Sequence, residues 1–127
     1  MVSNLLKGYR LTSALVNLPL AAAANAVNVL VLTTIALAPN MVGVKTFKIK
    51  RIKLRNNNAG NTFVHVGTGV AGAFVDALPP LYSIANTTDD YGENDLPELE
   101  LGATITSYPD AVGAGSFDIM VEAELLG

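Results

Sequence analysis

Two stretches near the end of the chain alternate strictly between apolar and polar residues. The apolar positions are Phe117, Ile119, Val121, Ala123 and Leu125 in the later stretch, and Leu99, Leu101, Ala103 and Ile105 in the earlier one. Successive side chains of a β-strand point to opposite faces of a sheet. Both stretches therefore predict antiparallel strands with one face on a core and the other face in water.

The same spacing begins earlier in the chain. Val29, Val31, Thr33, Ile35 and Leu37 lie at every second position, and this spacing predicts the first core strand. The alternation returns in residues 44–55, but it shifts by one position at Lys50–Arg51. One extra residue that restores the inward direction of the side chains is typical of a β-bulge, so we expect a bulge there.

Turn residues separate these strands. Asn56–Asn61 is rich in Asn and Gly, so it predicts a tight turn, with Thr62–Val66 as the return strand of a hairpin. Tyr108–Asp110 predicts another turn. Beyond residue 28 no long segment has helical spacing. We therefore predict an all-β fold, an antiparallel β-sandwich with jelly-roll or Greek-key connections.

The first third of the chain is unusual because residues 11–44 carry no charge. A secretory signal peptide, a transmembrane helix and an N-terminal arm are the three interpretations of this run. Asn17, Pro19, Asn25 and Asn28 interrupt it, which favours the arm. We expect an extended arm at residues 1–26 and a β-sandwich domain at residues 27–127, with no membrane contact. Removal of the arm should then leave the sandwich folded.

Composition narrows the possible functions. The 127 residues fit one domain, and the 50% hydrophobic content against 15% charged content is typical of a folded chain. The absence of Cys excludes disulfides, thiolate nucleophiles and Cys-ligated zinc sites. The net charge of -3 argues against a nucleic-acid partner.

Candidate catalytic or metal-binding residues are few. His65 is the only histidine and lies in a predicted strand, where it is either a catalytic base or a partly buried or interface residue. Calcium binding is one interpretation of the acidic residues at positions 89–95, and a solvated loop is the other. No set of nucleophile, base and acid can be assembled, so we predict no enzyme activity, no metal and no cofactor.

Charges are segregated along the sequence. Six of the eight basic residues lie in one predicted strand: Lys45, Lys48, Lys50, Arg51, Lys53 and Arg55. An acidic segment includes Asp89, Asp90, Glu93, Asp95, Glu98 and Glu100. We expect the six basic residues and the first four of these acidic residues to bind a partner protein, because complementary patches guide association. Ion pairs within one subunit and plain solvated faces are the alternatives.

The basic strand and Asn-rich turn of Phe47–Gly67, together with the closing strands Leu96–Thr106 and Phe117–Leu126, resemble capsid decoration (cement) proteins of tailed phages. The resemblance is one of strand pattern and covers residues 28–127. It implies a small β-sandwich or jelly-roll protein of the virion that sits on the capsid surface and holds neighbouring capsomers together.

The same resemblance implies the partners: further copies of the chain in a homotrimer, and the major capsid protein. Two alternatives are a shell-forming capsid or head-fibre subunit and a carbohydrate-binding β-sandwich module. The carbohydrate module is the weaker of the two, because the chain has no Trp and four Tyr with which to stack sugars.

Overall fold

The structure is a computed structural model that describes residues 10–18, 26–32, 46–70, 73–92, 94, 96–100, 102–110 and 116–126. This part of the chain forms strands and connecting turns, as the sequence predicts. The strands are β1 (Arg10–Thr12), β2 (Val16–Leu18), β3 (Val27–Val31), β4 (Thr46–Asn56), β5 (Thr62–Thr68), β6 (Val75–Asp76), β7 (Leu81–Ser83), β8 (Thr88–Gly92), β9 (Glu98–Glu100), β10 (Thr104–Pro109) and β11 (Phe117–Leu125).

These strands form two antiparallel sheets, and the fold is a β-sandwich. The first sheet has the order β1-β11-β4-β8, with β2 following β1 along β11 and β9 following β8 along β4. The second sheet has the order β3-β10-β5-β6, with β7 following β6 along β5. If β1–β2, β6–β7 and β8–β9 are each counted as one interrupted strand, the described residues form eight strands. Numbered along the chain, these strands have the order 1-8-3-6 in the first sheet and 2-7-4-5 in the second, which is the order of a jelly roll.

The core lies between the two sheets. All five apolar positions of β11 are fully buried and the residues between them are partly exposed, so the predicted alternation is confirmed. From the other side, β5 and β10 contribute Val64, Val66 and Ile105. Among the residues that the structure describes, no helix is long and apolar enough to cross a membrane.

The predicted bulge in β4 is confirmed. Glu122 of β11 pairs with Arg51 and the next residue, Ala123, pairs with Ile49, so Lys50 is the extra residue. Because of this insertion, Phe47 and Ile49 on one side of Lys50 and Ile52 and Leu54 on the other are all fully buried.

The predicted hairpin at Asn56–Asn61 is wrong. β4 and β5 belong to different sheets, so this turn crosses from one sheet to the other. Buried Asn side chains satisfy its backbone groups: the Asn56 amide donates to the carbonyls of Gly60 and Ser83, and its oxygen accepts from the Asn58 backbone N–H at 2.8 Å.

The single strand predicted over residues 98–106 is also interrupted. β9 pairs with β4 in the first sheet and β10 pairs with β5 in the second sheet, with Gly102 between them at a φ of +96°. Glycine adopts this conformation without strain. β10 then continues to Pro109, so residues 108 and 109 of the predicted turn belong to a strand.

Part of the predicted arm pairs with the first sheet. The described part of residues 1–26 includes β1 and β2, which pair with β11 at the edge of the first sheet. Leu18 is 1% exposed and lies in the core cluster. These residues are therefore part of the sandwich, because their backbones complete the sheet and Leu18 fills the core.

β6 approaches β5 closely at Gly67. A Cβ atom at this position would lie 1.9 Å from the carbonyl oxygen of Val75, much closer than any real contact. Only a residue without a side chain allows this pairing. Gly67 therefore fixes where β6 lies.

Leu18 provides a test of whether β2 belongs to the core. We expect Leu18→Ala to lower the free energy of unfolding by about 2–5 kcal/mol, because it leaves a cavity among buried side chains. Leu15 is 63% exposed, so Leu15→Ala should change it by less than about 0.5 kcal/mol. Urea denaturation of both variants measures the difference, and equal stability of the two would contradict the placement of Leu18.

Gly67 provides a second test, of the approach of β6 to β5. We expect Gly67→Ala to destabilise the protein by about 1–3 kcal/mol, because the added methyl group must push β6 away. No heavy atom lies within 4 Å of a Cβ built at Gly60, so Gly60→Ala is the matched control and should be tolerated. Amide chemical shifts should change most at residues 75–77. Chemical-shift changes spread evenly over both sheets would argue against the close approach of β6 to Gly67.

Candidate functional site

The outer faces of the two sheets differ in chemistry. On the first sheet, the basic side chains of β4 alternate with buried apolar residues and therefore point away from the core. On the second sheet, Val64 and Val66 are buried, so their neighbours Phe63 and His65 point outward. The first outer face is thus charged, and the second carries aromatic rings and the histidine.

The predicted partner-binding residues are only partly brought together. Lys48, Lys50, Arg51, Lys53 and Arg55 lie on β4, next to β8, which carries Asp89 and Asp90. Lys45, Glu93 and Asp95 lie outside the described residues. Directly opposed residues of a sheet share a face. Asp90 lies opposite Lys53 on the outer face, whereas Asp89 lies opposite the buried Leu54.

Several of these charges have partners within the first sheet. The Arg51 guanidinium donates two hydrogen bonds to Asp90, at 2.8 and 2.5 Å. This contact raises the pKa of Arg51 and lowers the pKa of Asp90. The Lys50 Nζ lies 3.5 Å from a carboxylate oxygen of Glu124 on β11. Arg10 of β1, the strand on the other side of β11, pairs with Glu122 and Glu124. Two cations of β4, Lys50 and Arg51, are therefore ion-paired within one subunit, and partner binding by this strand stays a prediction.

The second outer face carries an exposed apolar cluster, which we call the aromatic patch and define as Phe63, Tyr82 and Ile84. These side chains are 45%, 50% and 51% exposed. Phe63 lies opposite Tyr82 across the β5–β7 pair, and their ring centroids are 5.1 Å apart. Ser83 is fully buried, so Ile84, the next residue along the chain, points outward beside Tyr82.

Asn61 holds the patch in place. Its amide donates to the Tyr82 hydroxyl at 3.1 Å, and its side-chain oxygen accepts from the Ala85 backbone N–H at 2.8 Å. Both bonds tie the start of β5 to the segment around β7. The Tyr82 ring is therefore tied to the start of β5 at its hydroxyl end.

His65 lies beside the patch, between two carboxylates. Its Nδ1 is 2.9 Å from Oδ1 of Asp76 on β6, and its Nε2 is 2.8 Å from Oδ1 of Asp110, just beyond β10. The imidazole stacks on Tyr108, with centroids 4.5 Å apart and planes 10° apart, and Phe74 meets it edge-on. The His65 side chain is 13% exposed, so the predicted partial burial of this residue is confirmed.

The surroundings of His65 change its acidity. Burial alone would lower the pKa of His65, but hydrogen bonds to Asp76 and Asp110, and the charges of both, raise it overall. Burial raises the pKa of Tyr108, and the two carboxylates add to that increase. Stacking and two carboxylates therefore hold the imidazole in a fixed orientation that favours its cationic form.

This arrangement differs from that of a nucleophile and its base. The hydroxyl of Ser107 donates to the backbone carbonyl of His65, at 2.7 Å, while both ring nitrogens face carboxylates. Within the described ranges, no three His, Asp or Glu residues come together as a metal site. The exposed rings and their polar border give this face the chemistry of a binding surface.

Sequence reasoning missed the aromatic patch, although part of the signal was present. The alternation that places Val64 inward also places Phe63 outward. Tyr82 and Ile84 could not be added, because their position follows from the pairing of β7 with β5.

Comparisons with models of protein families, with characterised proteins and with solved structures found no match for this chain.

Proposed function

We propose that the protein is a capsid decoration (cement) subunit of a tailed phage, located on the capsid surface of the virion. In this proposal three copies associate as a homotrimer and bind the major capsid protein on the outside of the head. The aromatic patch of each copy contacts the neighbouring copy. The strand-pattern resemblance and the jelly-roll order support this role, because jelly rolls are recurrent in viral capsid proteins.

The aromatic patch is the observation that carries the proposal. Exposed apolar clusters on soluble proteins mark contact surfaces, and Tyr and Phe are enriched at the centres of such surfaces. Polar groups border the patch: Asn61 on one side, and Asp110 beside Phe63, to whose carbonyl the Asp110 backbone N–H donates at 2.8 Å. An apolar centre with a polar rim is the usual arrangement of a protein–protein interface.

The other outer face explains why the patch is assigned to the neighbouring copy. Lys50 and Arg51 of the first sheet are ion-paired with acidic residues of the same sheet, which suits a face in water, whereas Phe63 and Tyr82 are 45% and 50% exposed. Association that buries these rings removes apolar area from water. Each added copy then contributes contact area that resists expansion of the shell.

Loss of the patch should dissociate the trimer. We expect the wild-type protein at micromolar concentration to have three times the 13.2 kDa mass of the chain, and a Phe63→Ser/Tyr82→Ser double variant to be monomeric. Hot-spot aromatic residues typically contribute about 2 kcal/mol or more each to an interface. Light scattering measures the mass.

Leu15→Ser is the matched control, because Leu15 is exposed at the edge of the first sheet. This variant should remain trimeric. A monomeric wild-type protein, or a double variant that is still trimeric, would contradict the assignment of the patch.

Binding to phage heads tests the function itself. We expect the wild-type protein to co-sediment with heads assembled from the major capsid protein of the same phage, and to raise the temperature at which they rupture. The double variant should do neither. Particles formed by the purified protein alone would instead support the shell-forming alternative, and absence of binding to the heads would contradict decoration.

The exposed rings of Phe63 and Tyr82 also keep the carbohydrate-binding alternative open, because sugars stack on aromatic faces. Asn61 and Asp110 would supply polar contacts to hydroxyl groups. A glycan-array signal that Tyr82→Ser abolishes, from a protein that does not bind heads, would favour this second function.

A further inference from the structure

The His65 cluster contains more hydrogen-bond acceptors than a neutral imidazole can serve. A neutral ring has one N–H, whereas an imidazolium has two. At His65 both nitrogens face a carboxylate oxygen at hydrogen-bond distance, and a carboxylate can only accept. The complete set of contacts therefore requires the cation.

The two carboxylates come from different elements on the two sides of β5. Asp76 belongs to the two-residue strand β6, and Asp110 follows the last residue of β10. Among the residues that the structure describes, these two carboxylates are the charged groups that act on His65, and the phenol of Tyr108 is the other titratable group packed on the ring. Protonated His65 thus fastens two peripheral segments to the central strand beneath the aromatic patch.

The two contacts differ in their exposure to water. The bond to Asp110 is partly buried, and the Asp110 backbone also bonds to Phe63. The bond to Asp76 is exposed, so water can replace it, although the two carboxyl side chains themselves are similarly exposed, at 43% for Asp76 and 48% for Asp110. When the ring loses a proton, we expect the remaining N–H to be on Nε2 and to donate to Asp110.

We propose that His65 is a proton-controlled clamp of the second sheet: when protonated it holds both β6 and the end of β10 against β5, and when neutral it keeps Asp110 and releases Asp76. The clamp itself is independent of the proposed function. Its effect on trimer formation rests on that function, because Asp76 is tied to His65, which lies two residues from Phe63 on the same outer face of β5.

The sign of the pH effect follows from the direction of the shift. The pKa of His65 is raised above its ordinary value of 6.5, so the folded state binds the proton more tightly than the unfolded chain. The contribution of the clamp to stability is then complete below that ordinary pKa. It is lost as the pH rises through the folded-state pKa.

Titration of the imidazole by NMR tests the clamp directly, and the single histidine makes its signals unambiguous. We expect a pKa above 6.5 in the wild-type protein, and a lower pKa in both Asp76→Asn and Asp110→Asn. Asp90→Asn removes the same charge from the outer face of the first sheet and should leave the pKa of His65 unchanged. A wild-type pKa at or below 6.5, or no response to either cluster variant, would overturn the proposal.

A second measurement on the wild-type protein needs no variant. Above the pKa of His65, nitrogen chemical shifts should report a proton on Nε2. Amide protection at residues 75–77, corrected for the intrinsic pH dependence of exchange, should fall while protection in β11 persists. Equal protection of β6 on both sides of the transition would contradict release of Asp76.

Light scattering across the same pH range separates the clamp from the proposed function. If both hold, the trimer weakens as His65 loses its proton. A protein that is monomeric at every pH, with the expected titration and exchange, would contradict the trimer and leave the clamp intact.

Discussion

The alternation of side chains between the two faces of each strand is the constraint on which the rest of this structure depends. A shift of one residue in any strand would exchange its inner and outer faces. β11 fixes the first sheet in this way, because its five buried apolar residues allow one register against β4, and the bulge at Lys50 keeps both halves of β4 in phase with it. In the second sheet, the buried Val64 and Val66 fix which face of β5 points to the core.

The same constraint determines what the molecule presents to its surroundings. With Val64 and Val66 inward, Phe63 and His65 must point outward, and the pairing of β5 with β7 and β10 adds Tyr82 and Tyr108 to that face. The aromatic patch and the His65 cluster are therefore direct consequences of the core. The charged outer face of the first sheet arises likewise from the polar positions of β4, β8 and β11.

Local patterns in the sequence predict local structure well and pairing poorly. The sandwich, the strand at residues 117–125 and the bulge at Lys50 could all be predicted, because each depends on the spacing of neighbouring residues. The hairpin after Asn56 and the single strand through Gly102 were wrong, because alternation does not report which sheet a strand joins. The partners of His65 lie 11 and 45 residues away, and the topology alone brings them together.

The proposed function requires that another protein covers the outer face of the second sheet. Hydroxyl-radical footprinting of the assembled protein against the diluted, dissociated chain tests it most directly, since Phe63 and Tyr82 are readily oxidised when exposed. We expect strong protection of both rings on assembly, with Leu15 oxidised equally in the two states. Equal oxidation of Phe63 and Tyr82 in both states would contradict it.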